Sequence, residues 1–263
     1  MFTRPFSWTI TALLLTGVAA CAQVEYPKAI VDEADMEKAI ALAKELDRRK
    51  DQPPPEGTSW FEIKRGTLPA VITAPHTTEP FREGQFRFSD GGGTGGLADA
   101  LNAICDVTVV YTTYRSPSDP NFYDDNEFKV SLGELISEIK PALLLDVHAS
   151  HPYRPYDVDL GTMNGRSVLG DTFLIRALID AFSMEGILSI SVDWFAASKN
   201  QTVIKYAALK GVPSVQLEFS ATRTTPGDDA LAAHRFAQTV QALARFLGTR
   251  GLCERVNSRN VNK

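Results

Sequence analysis

Short apolar runs at residues 70–74, 107–112, 142–147 and 212–219 constrain this chain most. Each is too short for a buried helix and long enough for a buried strand. Stretches with helical spacing separate them. Leu132, Leu135, Ile136 and Ile139 share one face of a helix expected over residues 129–140. Residues 97–105, 167–184, 202–209 and 228–247 read as further helices. Strands alternating with helices imply an α/β domain with a mostly parallel central sheet flanked by helices. Residues 59–64 and 156–160 are candidates for further strands, and no internal repeat interrupts the pattern.

The ends of three of these runs carry ionisable groups. Pro75 closes the first run, and His76 and Glu79 follow it. Asp146 and His148 stand two apart at the end of another, which places both on one face of a strand. Glu218 closes the run that contains Gln216 and Leu217. In open α/β sheets, ligands bind outside the carboxyl ends of the strands. Imidazole and carboxylate are the donors that zinc takes, and a catalytic zinc site keeps three protein ligands and an open position. The expected ligands are His76, Glu79 and His148. Asp146 would accept a bond from a ring N–H of a ligating histidine, and Glu218 would act as general base. The competing account gives each residue a structural partner: a carboxylate for His76, a loop cap for Asp146, an arginine such as Arg82 or Arg223 for Glu218.

Other signals are negative or open. The glycine-rich stretch over residues 90–96 has neither a G-x-G-x-x-G after a strand nor the lysine of a P-loop. It reads as a tight turn at the pocket rim. No G-x-S-x-G elbow is present, and Cys105 has no histidine near it in sequence. Arg82, Arg115, Arg154 and Lys199 fall in expected loops near strand ends, where one or two can grip a substrate carboxylate.

Acidic residues outnumber basic ones, 32 to 27, and the lysines and arginines form no stripe. Nucleic acid is therefore not the expected partner. At the N-terminus, Arg4 precedes an apolar core over residues 8–18, and Val18-Ala19-Ala20-Cys21 follows. This resembles a bacterial lipoprotein signal, which implies cleavage before Cys21, a lipid on Cys21 and an exported, membrane-anchored chain facing the periplasm. An ordinary secretory signal is the alternative. The expected organisation is a signal at 1–20, an amphipathic helix and Pro-rich linker at 21–57, a metallohydrolase domain at 58–250 and a polar tail at 251–263. Cys105 and Cys253 can pair in an oxidising compartment, but the sequence does not show that they meet.

In order and spacing, His76-x-x-Glu79, Asp146-Val147-His148 and Val215-Gln216-Leu217-Glu218 resemble the N-formylglutamate amidohydrolase family, which is related in fold to the zinc carboxypeptidases. The phrases at residues 80–84, 116–121 and 195–201 also look like that family. The resemblance implies one zinc per chain on His76, Glu79 and His148, with Glu218 as catalytic carboxylate. Zinc carboxypeptidases grip the terminal carboxylate with an Asn-Arg pair. Here Asn121 precedes Phe122, so the arginine must come from elsewhere. The expected activity is zinc-dependent hydrolysis of a linear amide bond in N-formylglutamate, another N-acyl amino acid or a short peptide. An exported carboxypeptidase or peptidoglycan amidase, and a non-catalytic binding lipoprotein of the same fold, are the rivals.

Overall fold

The computed structural model describes residues 29–227 and 229–255. The signal expected at the N-terminus and residues 256–263 lie outside them. A seven-stranded sheet forms the centre. Its strands are β1 (Phe61–Lys64), β2 (Leu68–Ala74), β5 (Val107–Thr112), β6 (Leu143–Ser150), β7 (Val158–Gly161), β8 (Ile190–Val192) and β9 (Ser214–Ser220), in the order β1-β5-β2-β6-β9-β7-β8. A small hairpin, β3 (Phe81–Arg82) with β4 (Gln85–Phe86), stands apart from it. Strands β5, β2, β6 and β9 run parallel, as do β7 and β8, while β1 and β7 are antiparallel to the neighbours that join them to this core. The expected mostly parallel α/β domain is what forms.

Helices cover both faces. On one side lie α1 (Glu33–Arg49), α2 (Gly92–Cys105), α4 (Thr172–Met184) and α7 (Ala230–Thr249). On the other lie α3 (Glu127–Ile139) and α5 (Val203–Leu209). A single turn, α6 (Ala221–Thr224), follows β9. The period-2 alternation of the strands divides their side chains between the two cores. Leu143, Leu145 and Val147 of β6 face the larger core, as do Val215, Leu217 and Phe219 of β9. Leu144 faces the smaller one, so Asp146 and His148 share its side of the sheet.

Helix α1 begins at an Asp32 capping box with Asp35 and ends in Arg48 and Arg49, both favourable to the helix dipole. Met36, Ala39, Ala43 and Leu46 form its buried stripe, which packs on α2. Helix α1 is thus part of the packed domain, and residues 51–57 connect two parts of one core. The glycine run differs from the turn expected of it. Residues 92–96 are the opening turns of α2 and are buried. A Cβ on Gly92 would lie 2.0 Å from the Ala43 carbonyl oxygen, and one on Gly93 would lie 1.6 Å from that of Thr224. The missing side chains let α2 approach α1 and α6 at backbone distance.

The C-terminal stretch also differs in part from a free tail. Leu252 and Cys253 are buried, and Cys253 forms a disulfide with Cys105 at the end of α2. Among the described residues, no helix is long and apolar enough to cross a membrane.

Candidate metal centre

The parallel register sets the site. His148 on β6 lies directly beside Glu218 on β9, and Asp146 beside Gln216. On the other flank Thr73 of β2 pairs with Asp146 in register, and its hydroxyl donates to Asp146 Oδ1 at 2.6 Å. His76 follows the end of β2. Three adjacent strands therefore deliver His76, His148 and Glu218 to the same edge of the sheet. The two imidazole rings meet edge to face with centroids 4.8 Å apart.

Each ring is oriented from behind by a buried carboxylate. His76 Nε2 lies 2.7 Å from Asp119 Oδ1, and His148 Nε2 lies 3.1 Å from Asp146 Oδ2. Both Nδ1 atoms face Asp90, whose Oδ2 is 2.8 Å from His148 Nδ1 and 3.8 Å from His76 Nδ1. One donor atom from each of His76, Asp90 and His148 lies within 4.8 Å of the others. Two nitrogens and one carboxylate oxygen converging from separate elements, each histidine held by a carboxylate on its far nitrogen, is an arrangement that fits a metal ion. Asn121 competes for one of these contacts. Its Nδ2 is 2.8 Å from His148 Nε2 and needs a lone pair there, whereas Asp146 needs a proton. A cation on Nδ1 leaves the proton on Nε2 and so favours Asp146.

The electrostatics follow from burial and pairing. Burial lowers the proton affinity of His148, but Asp146 and Asp90 outweigh it and hold the pKa well above the ordinary value. The same balance, with Asp119 as the main partner, raises that of His76. Burial alone would raise Asp119; the His76 charge and bond, the Asn121 N–H and Arg82 bring it down to about 2. Glu218 goes the other way: burial pushes its carboxyl up to about 7, against the pull of His148. Gln216 Nε2 donates to Glu218 Oε1 at 2.7 Å.

The group opens into a cavity of about 430 Å³ lined by His76, Asp90, His148, Gln216 and Glu218 at one end. Of the residues expected to contact substrate, Arg82, Asn121 and Lys199 line it. Arg82 also reaches Asp119 Oδ2 at 3.4 Å, and Asn121 Oδ1 accepts from the Val203 N–H at 2.6 Å. Arg154 is outside the lining, with its guanidinium 5.9 Å from the Phe195 ring. Arg115 sits on Phe86 and holds Glu79.

Glu79 is where the structure departs from the expected ligand set. Its carboxylate accepts from Arg115 Nη2 at 2.6 Å and does not line the cavity. The turn after His76 explains the direction. Thr77 and Thr78 are buried; the Thr78 N–H donates to Thr112 Oγ1 and its hydroxyl to the Tyr114 carbonyl. The chain is thereby drawn toward the end of β5, and Glu79 goes with it. Asp90, not Glu79, joins His76 and His148 in the group that could hold a metal ion. Asp90 and Asp119 carried no metal motif in the sequence; the Ser-Asp-Pro stretch at 118–120 and an aspartate just before a glycine-rich helix start were the available signals.

No protein-family model matches the chain, and no curated protein matches it in sequence. Solved structures do match. N-formylglutamate amidohydrolase from Ralstonia eutropha JMP134 is 15% identical, with 73% of this chain and 99% of that chain covered at a TM-score of 0.53. Gene product Atu2144 from Agrobacterium tumefaciens is 10% identical, covering 74% and 97% at a TM-score of 0.50. A putative carboxypeptidase from Burkholderia mallei ATCC 23344 is 13% identical, covering 72% and 60% at 0.47. The resemblance read from the residue motifs thus holds in the fold.

Proposed function

We propose that this chain is a metal-dependent hydrolase of a linear C–N amide bond, such as that of an N-acyl amino acid. The observation that carries the reading is the convergence of His76, Asp90 and His148 beside Glu218 at the end of a substrate-sized cavity. The fold shared with the Ralstonia amidohydrolase supports it. His76, Asp90 and His148 would hold one zinc, whose nitrogen and oxygen donors these are. When bound, zinc supplies Lewis-acid polarisation of the scissile carbonyl.

The remaining chemistry falls to the chain. Glu218 takes the proton of the attacking water and passes it to the departing amine. Gln216 Nε2 donates to one oxygen of that carboxylate and so restrains its orientation. Asp119 and Asp146 keep the two imidazoles in place. Arg82 and Lys199 put positive charge on the cavity wall for a substrate carboxylate. We also read the chain as exported and lipid-anchored through Cys21; the Cys105–Cys253 disulfide suits an oxidising compartment.

The test is a screen of N-acyl amino acids and short peptides for released amine, before and after chelation. Activity that is lost to a chelator and returns with zinc is the expected result. Turnover indifferent to chelation, or none on any amide with one zinc bound, would overturn the reading.

A further inference from the structure

Two large aromatic side chains at the cavity mouth face water. Trp194 is 59% exposed and Phe195 48%, and both line the cavity that ends at His76 and His148. Beneath them, the fully buried Asp159 carboxylate meets no cation among its hydrogen bonds. It accepts from the N–H of Trp194 at 3.1 Å, the N–H of Phe195 at 2.7 Å and the Ser191 hydroxyl at 2.6 Å. Asp193 likewise accepts from the N–H and hydroxyl of Thr162, both at 2.6 Å. Asp193 and Ala197 have φ of 57° and 54°, a region that non-glycine residues seldom occupy. Strand β7 must be small at Gly161, where a Cβ would lie 2.6 Å from the Phe195 carbonyl oxygen.

A segment bracketed by two disfavoured backbone conformations and pinned by two aspartates is built to one shape. That shape exposes a tryptophan and a phenylalanine, which folding alone would bury. Arg154 lies over the Phe195 ring and Tyr156 meets Trp194 edge to face, so both rings are braced from the side. We propose that Trp194 and Phe195 form an aromatic subsite that takes a planar, apolar side chain of the substrate. The surroundings favour such a group over a sugar ring. Asp159 and Asp193, the carboxylates that would accept from ring hydroxyls, are already bonded inward, and Ala196 and Ala197 continue the cavity wall beside the two rings. The inference deepens the hydrolase reading by naming the substrate class of its cavity, namely N-acyl amino acids or dipeptides with an aromatic residue.

The test reads binding rather than turnover. Of the three tryptophans, Trp60 is buried at 4% exposure and Trp194 is at the mouth. The purified full chain is titrated with 3-phenylpropanoate, which has a ring and no amide to cleave, and with glutarate, which has no ring. Saturable quenching by 3-phenylpropanoate, lost in Trp194→Phe and kept in Trp60→Phe, is expected. Calorimetry should give about tenfold weaker binding of the same probe to Trp194→Ala, the scale of one aromatic contact. Equal affinity for both probes, or an unchanged affinity in Trp194→Ala, would overturn the subsite. Ring binding by a chain that cleaves no amide removes the hydrolase and leaves the subsite. Hydrolysis without ring preference removes the subsite alone.

Discussion

Glu218 and Asp119 are both carboxylates within one charged cluster, yet their environments push them in opposite directions. Burial holds Glu218 near 7 against the pull of His148; Asp119, although buried, has His76, Arg82 and a backbone N–H and is held near 2. The first is suited to take and return a proton, the second to stay charged. Glu218→Gln should therefore keep fold and metal while the rate of amide hydrolysis falls by about 10²–10⁴-fold, since glutamine accepts no proton. Near-normal turnover in that variant would reject Glu218 as the base. The pH profile carries the same sign. The base must be ionised, so activity should fall as pH drops through the Glu218 pKa. A bound cation favours the carboxylate and moves that limb below 7. An acid limb above pH 7 in the metal-loaded chain would contradict this. Asp119→Asn removes the charge behind His76, and metal affinity should drop about 10–100-fold by competition titration.

The strand pattern was readable because buried parallel strands are short apolar runs, and β2, β5, β6 and β9 all have that form. The period-2 rule also placed Asp146 and His148 on one face. What the sequence did not carry was the direction of a loop. Glu79 follows His76 at ligand-like spacing, but Thr78 is bonded to the end of β5, and the Glu79 side chain pairs with Arg115 outside the cavity. Asp90 arrives from the far side of a hairpin, through packing that no local spacing encodes. Helix α2 brings it there only because its first turns have no side chains against α1 and α6. Gly93→Ala should then lower stability by about 1–3 kcal/mol in urea denaturation, the range for overpacking a filled site. It should weaken metal binding as well, because Asp90 precedes that helix. Wild-type stability in Gly93→Ala would show that the α2–α6 approach has slack.

One disulfide ties the C-terminal segment to the end of α2, with a sequence separation of 148 residues. A link across so long a loop constrains the unfolded chain strongly. Reduction, or Cys253→Ser, should lower unfolding stability by about 2–5 kcal/mol. An unchanged denaturation midpoint under reductant would place the stabilisation elsewhere. The bond also bears on location, since stable disulfides are features of exported proteins. If Cys21 carries a lipid, Cys21→Ser should move the chain from the membrane fraction to the soluble one. Retention in the membrane with an intact N-terminus would contradict the lipid anchor.

On the proposed reading His76, Asp90 and His148 hold the metal, while Glu79 is paired with Arg115 and does not. Zinc content of purified wild type, Asp90→Ala and Glu79→Gln, measured side by side, tests it most directly. About one zinc per chain is expected in wild type and in Glu79→Gln, and far less in Asp90→Ala. Loss of zinc in Glu79→Gln with full retention in Asp90→Ala would contradict the site described above.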